Sequence, residues 1–235
     1  MIKFIGKCLL IESKKKILVI GDLHFGYGES LRKMGIMIPD RLFENLTLEL
    51  NFILDSFEID EVVILGDLKH EFGKILNSEW REINEFIDIL LKRKKDVVII
   101  KGNHDKITGI ITEKRGILIK DFYIYEDIAF IHGDKDFKEI YKRDIKTWLM
   151  GHAHPAVKIS DGNKEEKFKC FLDGKYKGRR VIILPSFFDI NEGTDPREFD
   201  LGLAWKFELN KFKVKVVGEG IEVLNFGKLK EITYF

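Results

Sequence analysis

The stretch ILVIGDLH at residues 17–24 joins a compact β-branched run to glycine, aspartate and histidine. The same design returns as VVILGDLKH at residues 62–70 and as VVIIKGNHD at residues 97–105. Short apolar runs of this kind are typical of strands buried on both faces, as in a parallel sheet. Each run is followed by a polar turn. The predicted strands are Ile17–Ile20, Val62–Leu65 and Val97–Ile100.

Two amphipathic segments separate these strands. Apolar residues recur at helical spacing along Arg41–Phe57 and again along Glu79–Lys94. Asn77 and Ser78 precede the second segment, and either residue type can cap a helix. The alternation of strands and helices predicts a parallel sheet covered by helices.

After about residue 115 the apolar runs become shorter and closer together, and turn signals such as Asp173-Gly174 separate them. This pattern favours a mostly antiparallel sheet in the second half of the chain. The expected strands are Phe122–Tyr125, Ile128–Ile131, Thr147–Met150, Lys167–Leu172, Val181–Leu184, Leu201–Leu209 and Phe212–Val217.

The length of 235 residues fits one large domain better than two small ones. Together with the two halves described above, it predicts a single domain over residues 1–235. The predicted fold class is α/β, in the broad sense that includes α+β. The architecture is a β-sandwich of two sheets packed face to face and flanked by helices.

Composition excludes some functional classes. The 40 basic and 39 acidic residues nearly cancel, which argues against a protein that coats nucleic acid through bulk charge, although a local basic groove is compatible with it. Cys8 and Cys170 lack the spacing of a metal site and are predicted to be buried thiols in a reducing compartment, with a disulfide as the alternative. The chain has neither a signal-peptide core nor an apolar run long enough for a membrane span, so we expect a cytoplasmic protein without a membrane partner.

Polar side chains follow predicted strands in five places. Three are the motifs quoted above, and the other two are FIHGD at residues 130–134 and LMGHAH at residues 149–154. The carboxyl ends of strands in open α/β sheets are where ligands bind, so we expect these side chains to converge. All six histidines lie within or directly beside these motifs. Residues two apart in extended backbone point the same way, so Asp22 with His24, and His152 with His154, can each address one small site.

The donors are carboxylates, an amide and imidazoles, which suit hard or borderline divalent metal ions. Seven donors exceed what one four-coordinate ion needs. They fit two ions some ~3.5–4 Å apart that share one bridging carboxylate. The predicted metal ligands are Asp22, His24, Asp67, Asn103, His132, His152 and His154.

In this order and spacing, the five motifs between residues 22 and 154 resemble those of the calcineurin-like metallophosphoesterase superfamily. A finer resemblance links DLHFGYGESLRKMGIMIP at 22–39, GDLKHEF at 66–72 and LPSFFDINEGTDP at 184–196 to the archaeal and bacterial subgroup related to the nuclease subunit SbcD, the ICC-like and DNA-ligase-associated phosphoesterases. The longer nucleases of that group carry a capping region, which we expect this chain to lack. Their exonuclease activity is therefore not carried over whole.

The superfamily resemblance implies a metallophosphoesterase fold and two divalent metal ions, manganese first, with iron, zinc, nickel or cobalt as alternatives. One ion would be held by Asp22, His24, Asp67 and His154. The other would be held by Asp67, Asn103, His132 and His152, with Asp67 bridging. A water between the ions would lose a proton and attack phosphorus as hydroxide.

The same resemblance implies that His104 is a non-ligand histidine able to protonate the leaving oxygen, with Asp105 orienting it. The alternative for His104 is a plain hydrogen bond to a loop carbonyl. His70 is a second catalytic candidate, or else a loop histidine with local partners. Asn103, His104 and Arg32 are the candidate substrate-binding residues, and Lys69 is a further candidate for contacting phosphate.

The function predicted from the sequence is hydrolysis of phosphodiester bonds, with nucleic acid, and single-stranded DNA in particular, as the expected substrate. The first alternative is a phosphodiesterase or phosphatase for small nucleotides or phosphoesters. A remote alternative is a non-catalytic scaffold of the same fold, against which the intact set of seven donors argues. The sequence names no protein partner.

Overall fold

The computed structural model of the protein describes residues 1–38, 41–160, 164–190, 192–199 and 202–232. Within this part of the chain the strands form two sheets, one of six strands and one of eight. Three positions used in the sequence analysis lie outside the described residues, namely Pro39, Asn191 and Leu201.

The first sheet combines an antiparallel N-terminal edge with a parallel remainder. Its strands are ordered along the sheet as they are along the chain, and every pair from the third strand onward is parallel. The three strands predicted in the first half of the chain are confirmed to within one residue at either end. The strands are β1 (Ile2–Ile5), β2 (Cys8–Glu12), β3 (Lys16–Ile20), β4 (Glu61–Ile64), β5 (Asp96–Ile100) and β6 (Ile119–Lys120).

The second sheet is mostly antiparallel, as predicted, but it has a parallel centre. The strands are β7 (Phe122–Tyr125), β8 (Ile128–Ile131), β9 (Thr147–Met150), β10 (Ala156–Ser160), β11 (Glu165–Tyr176), β12 (Arg179–Ile183), β13 (Lys213–Val217) and β14 (Val223–Lys228). They are ordered β14-β13-β11-β12-β9-β8-β7, with β10 paired to β11. The pairs β8–β9 and β9–β12 are parallel.

Helices cover the outer face of the first sheet. The helices are α1 (Tyr27–Lys33), α2 (Leu42–Ser56), α3 (Asn77–Lys92) and α4 (Gly109–Thr112). The two predicted helices are thus confirmed as α2 and α3. The predicted cap of α3 is wrong, because Leu76 occupies the N-cap position and both Asn77 and Ser78 already belong to the helix.

The core has three layers. Between the sheets, β3 and β4 pack through residues such as Val19 and Val63 against Phe130 and Leu149 of β8 and β9. Apolar side chains of α2 and α3 fill the space outside the first sheet. Short 3₁₀ segments, rather than long helices, cover the outer face of the second sheet. The prediction of a β-sandwich flanked by helices is confirmed.

Two local predictions are wrong. The expected strand Leu201–Leu209 is instead a 3₁₀ helix at Gly202–Lys206, because its buried residues do not alternate as a strand requires. The pair Asp173-Gly174 does not turn but lies inside β11, and the turn falls at Lys177-Gly178, where both residues have positive φ. A Cβ on Gly174 would lie 2.2 Å from Cδ1 of Phe212, so this glycine serves close packing.

Cys8 and Cys170 are both buried and free, as predicted. Among the described residues, no helix combines the length and apolar character that crossing a bilayer requires.

Candidate metal centre

The polar residues that follow five strands meet at one edge of the sandwich. Asp22 and His24 follow β3, and Asp67 follows β4. From the second sheet, His132 follows β8 and His152 follows β9. Because the parallel strands of both sheets end at this edge, side chains from both sheets reach the same place.

The first group contains Asp22, His24, Asp67 and His154, each of which offers a donor atom within 4.8 Å of the others. The Nε2 atom of His154 lies 3.2 Å from Oδ1 of Asp22 and 3.3 Å from Nε2 of His24. His24 Nε2 lies 3.9 Å from Asp67 Oδ2. These four residues are the set that the family resemblance implied for one ion.

The second group contains Asp67, His132 and His152. His132 Nε2 lies 3.4 Å from Asp67 Oδ2 and 3.1 Å from His152 Nδ1. The amide oxygen of Asn103 lies 3.0 Å from the same His132 nitrogen. The structure therefore also brings together the set implied for the other ion, and Asp67 belongs to both groups.

Two pairs of imidazole nitrogens face each other at 3.1 and 3.3 Å, and Nδ1 of the buried His24 has no hydrogen-bond partner. Two carboxylates with little or no exposure, those of Asp22 and Asp67, stand among these rings. Buried anions and converging nitrogen lone pairs call for cations. The residues present therefore fit divalent ions, and their oxygen and nitrogen donors without thiolate match that choice.

The pKa shifts of the site residues also favour cations at this centre. Burial opposes ionisation of Asp22 and Asp67, yet the neighbouring histidines keep the pKa of each carboxyl below its ordinary value. Burial also disfavours the charged form of His132, but the Asp67 and Asp22 carboxylates raise its pKa to about 9. Burial, and then the nearby His154, lower the pKa of His24 to about 3. The carboxylates thus attract positive charge to the centre.

The backbone at the centre is unusual. Asp22, His24, Asp67, His152 and His154 all have left-handed conformations, with φ between 41° and 66°. Non-glycine residues adopt this region at a cost, and they cluster at functional sites when the surroundings hold them there. The extended backbone assumed in the sequence analysis is therefore wrong at both pairs. Asp22 and His24 still share a group, whereas His152 and His154 turn into different ones.

Two glycines let the carboxylates approach neighbouring backbone. A Cβ on Gly102 would lie 2.2 Å from Asp67 Oδ1, and a Cβ on Gly151 would lie 2.6 Å from Asp22 Oδ2. Any larger residue would push a carboxylate out of place. Gly102 and Gly151 therefore provide the room that these two carboxylates need.

His104 lies at the rim of the centre, with its Nε2 atom 3.8 Å from Asp67 Oδ2. Its Nδ1 atom contacts the carbonyl oxygen of His70, which places a proton on Nδ1 and directs Nε2 towards the centre. The orienting partner is therefore the His70 carbonyl and not Asp105. The Asp105 carboxylate instead accepts hydrogen bonds from the backbone of Leu68 and Gly102 and from the Thr108 hydroxyl, so it fixes the two loops on which Asp67 and His104 lie.

The remaining candidates lie beside the two groups. His70 packs its ring 4.1 Å from that of Tyr27, and burial lowers its pKa to about 4. His70 and His104 also form a third group of converging nitrogens with His24. Arg32 lies on α1 and lines a cavity of about 440 Å³ together with Tyr27, outside all three groups.

Lys69 does not reach the centre, so its suggested phosphate contact is wrong. The side chain is fully buried, and its ammonium lies 3.7 Å from Oε1 of Glu79, a buried residue in the first turn of α3. Glu79 also accepts hydrogen bonds from the backbone N–H groups of His70 (3.1 Å), Glu71 (2.6 Å) and Leu76 (2.6 Å). This carboxylate therefore holds the loop that carries His70 and Phe72.

The sequence analysis also missed a support beneath Asp22. The Ser186 hydroxyl donates to the Asp22 carbonyl oxygen at 2.8 Å, and the Phe187 N–H donates to the Gly21 carbonyl oxygen at 3.0 Å. The half-buried Lys169 ammonium in turn donates to the carbonyl oxygens of Ser186, at 2.8 Å, and Phe188. Residues 186–188 thus anchor the backbone of a candidate ligand. The quoted motif LPSFFD was the signal that could have located it.

A family model described as calcineurin-like phosphoesterase matches residues 15–218. The chain belongs to this family. Calcineurin-like phosphoesterases are metal-dependent hydrolases of phosphoesters, and the grouped aspartates and histidines of this chain are able to hold the divalent ions.

The fold agrees with that of a solved nuclease structure. The crystal structure of the nuclease MPE from Pseudomonas putida has a TM-score of 0.64 at 19% identity, covering 94% of this chain and 91% of that one. The phosphoesterase YfcE from E. coli has a TM-score of 0.41 at 15% identity, covering 92% and 94%. Vps29 from Entamoeba histolytica, in complex with zinc, has a TM-score of 0.41 at 17% identity, covering 90% and 99%. No curated protein matches the chain significantly by sequence.

The Lys69–Glu79 pair generates a prediction about stability. We expect Glu79→Gln to lower the free energy of unfolding by roughly 3–5 kcal/mol, because it leaves the Lys69 charge buried without its partner. The double variant with Lys69→Met should lose less than the two single variants added together. Urea denaturation of the three proteins measures both effects. Glu85→Gln, at an exposed position of the same helix, is the control and should change little. Additive losses would show that the two side chains do not interact.

Proposed function

We propose that the protein hydrolyses phosphodiester bonds in nucleic acid, preferably in single-stranded DNA, at a centre of two divalent metal ions within one catalytic domain over residues 1–235. The observation that carries the proposal is the pair of donor groups that share Asp67. The likeness in fold to a nuclease supports the choice of nucleic acid. The buried free thiols are consistent with the cytoplasmic location that forms part of the proposal.

In this proposal Asp22, His24, Asp67 and His154 hold one ion, and Asp67, Asn103, His132 and His152 hold the other. When bound, such ions offset the negative charge of the phosphate and make water acidic enough to supply hydroxide near neutral pH. The all-oxygen-and-nitrogen donor set favours manganese, with iron, zinc, nickel or cobalt able to replace it.

The chain itself supplies the proton. The His70 carbonyl holds the Nδ1–H of His104, so a protonated ring can donate only from Nε2, which points to the centre. The backbone N–H of His104 also donates to Asp67 Oδ1 at 3.0 Å, which fixes the ring relative to the shared carboxylate. This geometry supports a role for His104 as the acid that protonates the oxygen leaving phosphorus. Asn103 and Arg32 are the further candidates for contacting the phosphate or the strand.

A specific observation favours a second candidate function. Tyr27 and Arg32 line a cavity of about 440 Å³, a volume that suits a small ligand, and Tyr27 also packs against His70. A small nucleotide or phosphoester is therefore the alternative substrate. The scaffold alternative finds no support, because every candidate ligand side chain is present and grouped.

The metal centre can be tested without activity. Manganese should raise the melting temperature of the wild type, since binding to the folded state alone stabilises it by about 2.7 kcal/mol at a hundredfold excess over Kd. Asp67→Asn should abolish most of this rise, because it weakens both sites. Elemental analysis should find two ions per chain in the wild type. Asp88→Asn, on α3 and paired with Arg115, is the control and should behave as the wild type. An unchanged response in Asp67→Asn would exclude a shared carboxylate.

The acid role of His104 predicts a dependence on the leaving group. His104→Ala should keep both ions but lose about 10²–10⁴-fold in rate on an ordinary phosphodiester, whose alkoxide needs a proton. On bis(p-nitrophenyl) phosphate, whose leaving group needs none, the loss should be far smaller. Steady-state rates on both substrates, with metal content measured in parallel, make the comparison. Equal losses on both would assign His104 to phosphate positioning instead.

Comparing the rates of cleavage of different substrates tests the substrate class. Single-stranded DNA should be cut faster than the matching duplex, because a single strand can bend a phosphate into the centre without the deformation energy that a stiff duplex requires. Both should exceed a phosphomonoester. The near-zero net charge predicts that the rate falls with salt, but along a shallow slope. A strong preference for the monoester, or no DNA cleavage with any of the five metals, would favour the small-substrate alternative.

A further inference from the structure

Phe72 lies at the edge of the metal centre with its ring against His104. The two ring centroids are 3.7 Å apart and the planes are inclined by 33°. More than half of the Phe72 surface, 54%, remains exposed. The residue belongs to the loop that Glu79 anchors through the backbone of its neighbours, so its position is supported from below. One side of the ring therefore contacts the proposed acid while the rest is open to solvent.

Trp205 occupies a comparable position on the second sheet's side. It is 67% exposed, although tryptophan is usually well buried. Its 3₁₀ helix, Gly202–Lys206, is fixed to the centre, because the Leu203 N–H donates to the Gly133 carbonyl oxygen at 2.7 Å. Gly202 lies so close to His152 that a Cβ would be 2.4 Å from the ring carbon Cδ2. Trp205 follows one turn later, about 6 Å along the helix.

The two aromatic residues belong to segments that adjoin the centre from different sheets. Phe72 contacts His104, which follows the first sheet, and Trp205 lies on the 3₁₀ helix whose first residue, Gly202, adjoins His152 of the second. The Asp67 carboxylate lies 3.8 Å from His104 Nε2 and within 4.8 Å of a donor atom of His152, so a phosphate beside it would lie near both histidines. Exposed aromatic rings beside a phosphate site are suited to stacking on nucleobases, since every base presents a flat face.

We propose that Phe72 and Trp205 are stacking platforms for the two bases on either side of the phosphate that is cut. The proposal rests on the proposed function and deepens it by naming what the site recognises, namely two consecutive unpaired nucleotides. In a duplex the bases are stacked and paired, so neither ring can reach a base face without opening the helix. A small phosphoester carries too few rings to occupy both platforms.

The position of His104 determines which base stacks on Phe72 and which on Trp205. His104 protonates the leaving oxygen, so the nucleoside that carries this oxygen lies next to it. Phe72, in contact with His104, then stacks on the base of the nucleoside released with a free hydroxyl. Trp205 stacks on the base of the nucleoside that keeps the phosphate.

The experiment uses a short, end-labelled single strand of thymidines in which one nucleotide lacks its base. Under single-cut conditions, the product ladder gives a rate for each linkage, and linkages far from the gap serve as internal controls. The wild type should cut slowly at the two linkages that adjoin the gap. Loss of one stacking contact should lower each of these rates by about 5- to 150-fold relative to distant linkages.

The variants separate the platforms. In Phe72→Leu, the linkage whose leaving nucleoside lacks its base should no longer be cut more slowly than distant linkages. The linkage on the other side of the gap should still be cut slowly. Trp205→Leu should do the reverse. Phe72→Tyr and Trp205→Phe keep an aromatic ring and should restore the wild-type ladder. Phe52→Leu, at an exposed phenylalanine of α2 outside the metal centre, is the matched control and should leave the ladder unchanged.

Three outcomes would overturn the proposal. A uniform loss at all linkages in Phe72→Leu would mean that Phe72 only holds His104. A wild-type ladder without slow positions would mean that no base is bound beside the phosphate. Both leave the proposed function standing. A wild type that hydrolyses bis(p-nitrophenyl) phosphate but cuts no single strand would instead overturn the nucleic-acid function and the platforms with it.

Discussion

The Asp67 carboxylate is the point on which the rest of the site depends. It belongs to both donor groups, accepts the His104 N–H at 3.0 Å and lies 3.4 Å from His132 Nε2. A charge so deeply buried is tolerated only where cations or hydrogen-bond donors surround it. The glycine at 102, the left-handed backbone of Asp67 itself and the loops fixed by Asp105 all serve to keep this one side chain in place.

Two separate networks of side-chain contacts hold the loops around that carboxylate. Glu79 and Lys69 hold the loop that follows β4, and Lys169 with Ser186 holds the turn that follows β3. Glu79, which is buried, and Lys169, which is half-buried, each place a charge where it satisfies backbone groups of a loop. Buried charges are costly unless they are paired in this way, so their presence beneath the loops marks positions where geometry matters more than stability alone.

The sequence predicted the strands and helices that carry the donors, because a parallel strand buried on both faces and an amphipathic helix each leave a plain periodic signal. It also predicted which donors converge. It did not predict the left-handed backbone at Asp22 or His154, since periodicity assumes regular conformations. Lys69 and Asp105 were misassigned for a related reason: a charged residue beside a motif looks like a ligand contact when its burial is unknown. The hairpin β1–β2 was missed because charges and glycine interrupt its apolar pattern.

Because the donors come from both sheets, the order in which the sheets fold determines when the donor groups are complete. His24 and His154 are 130 residues apart in the chain, and Asp22 rests on Ser186, 164 residues further on. A contiguous segment that contains every candidate donor must run at least from Asp22 to His154. During synthesis, the first sheet and its helices emerge well before the second, and Asp22 and Asp67 then have His24 and His104 beside them but not His132, His152 and His154. In the proposed arrangement, a chain that ends before β9 lacks His152 and His154, so neither donor group is complete until the second sheet has formed.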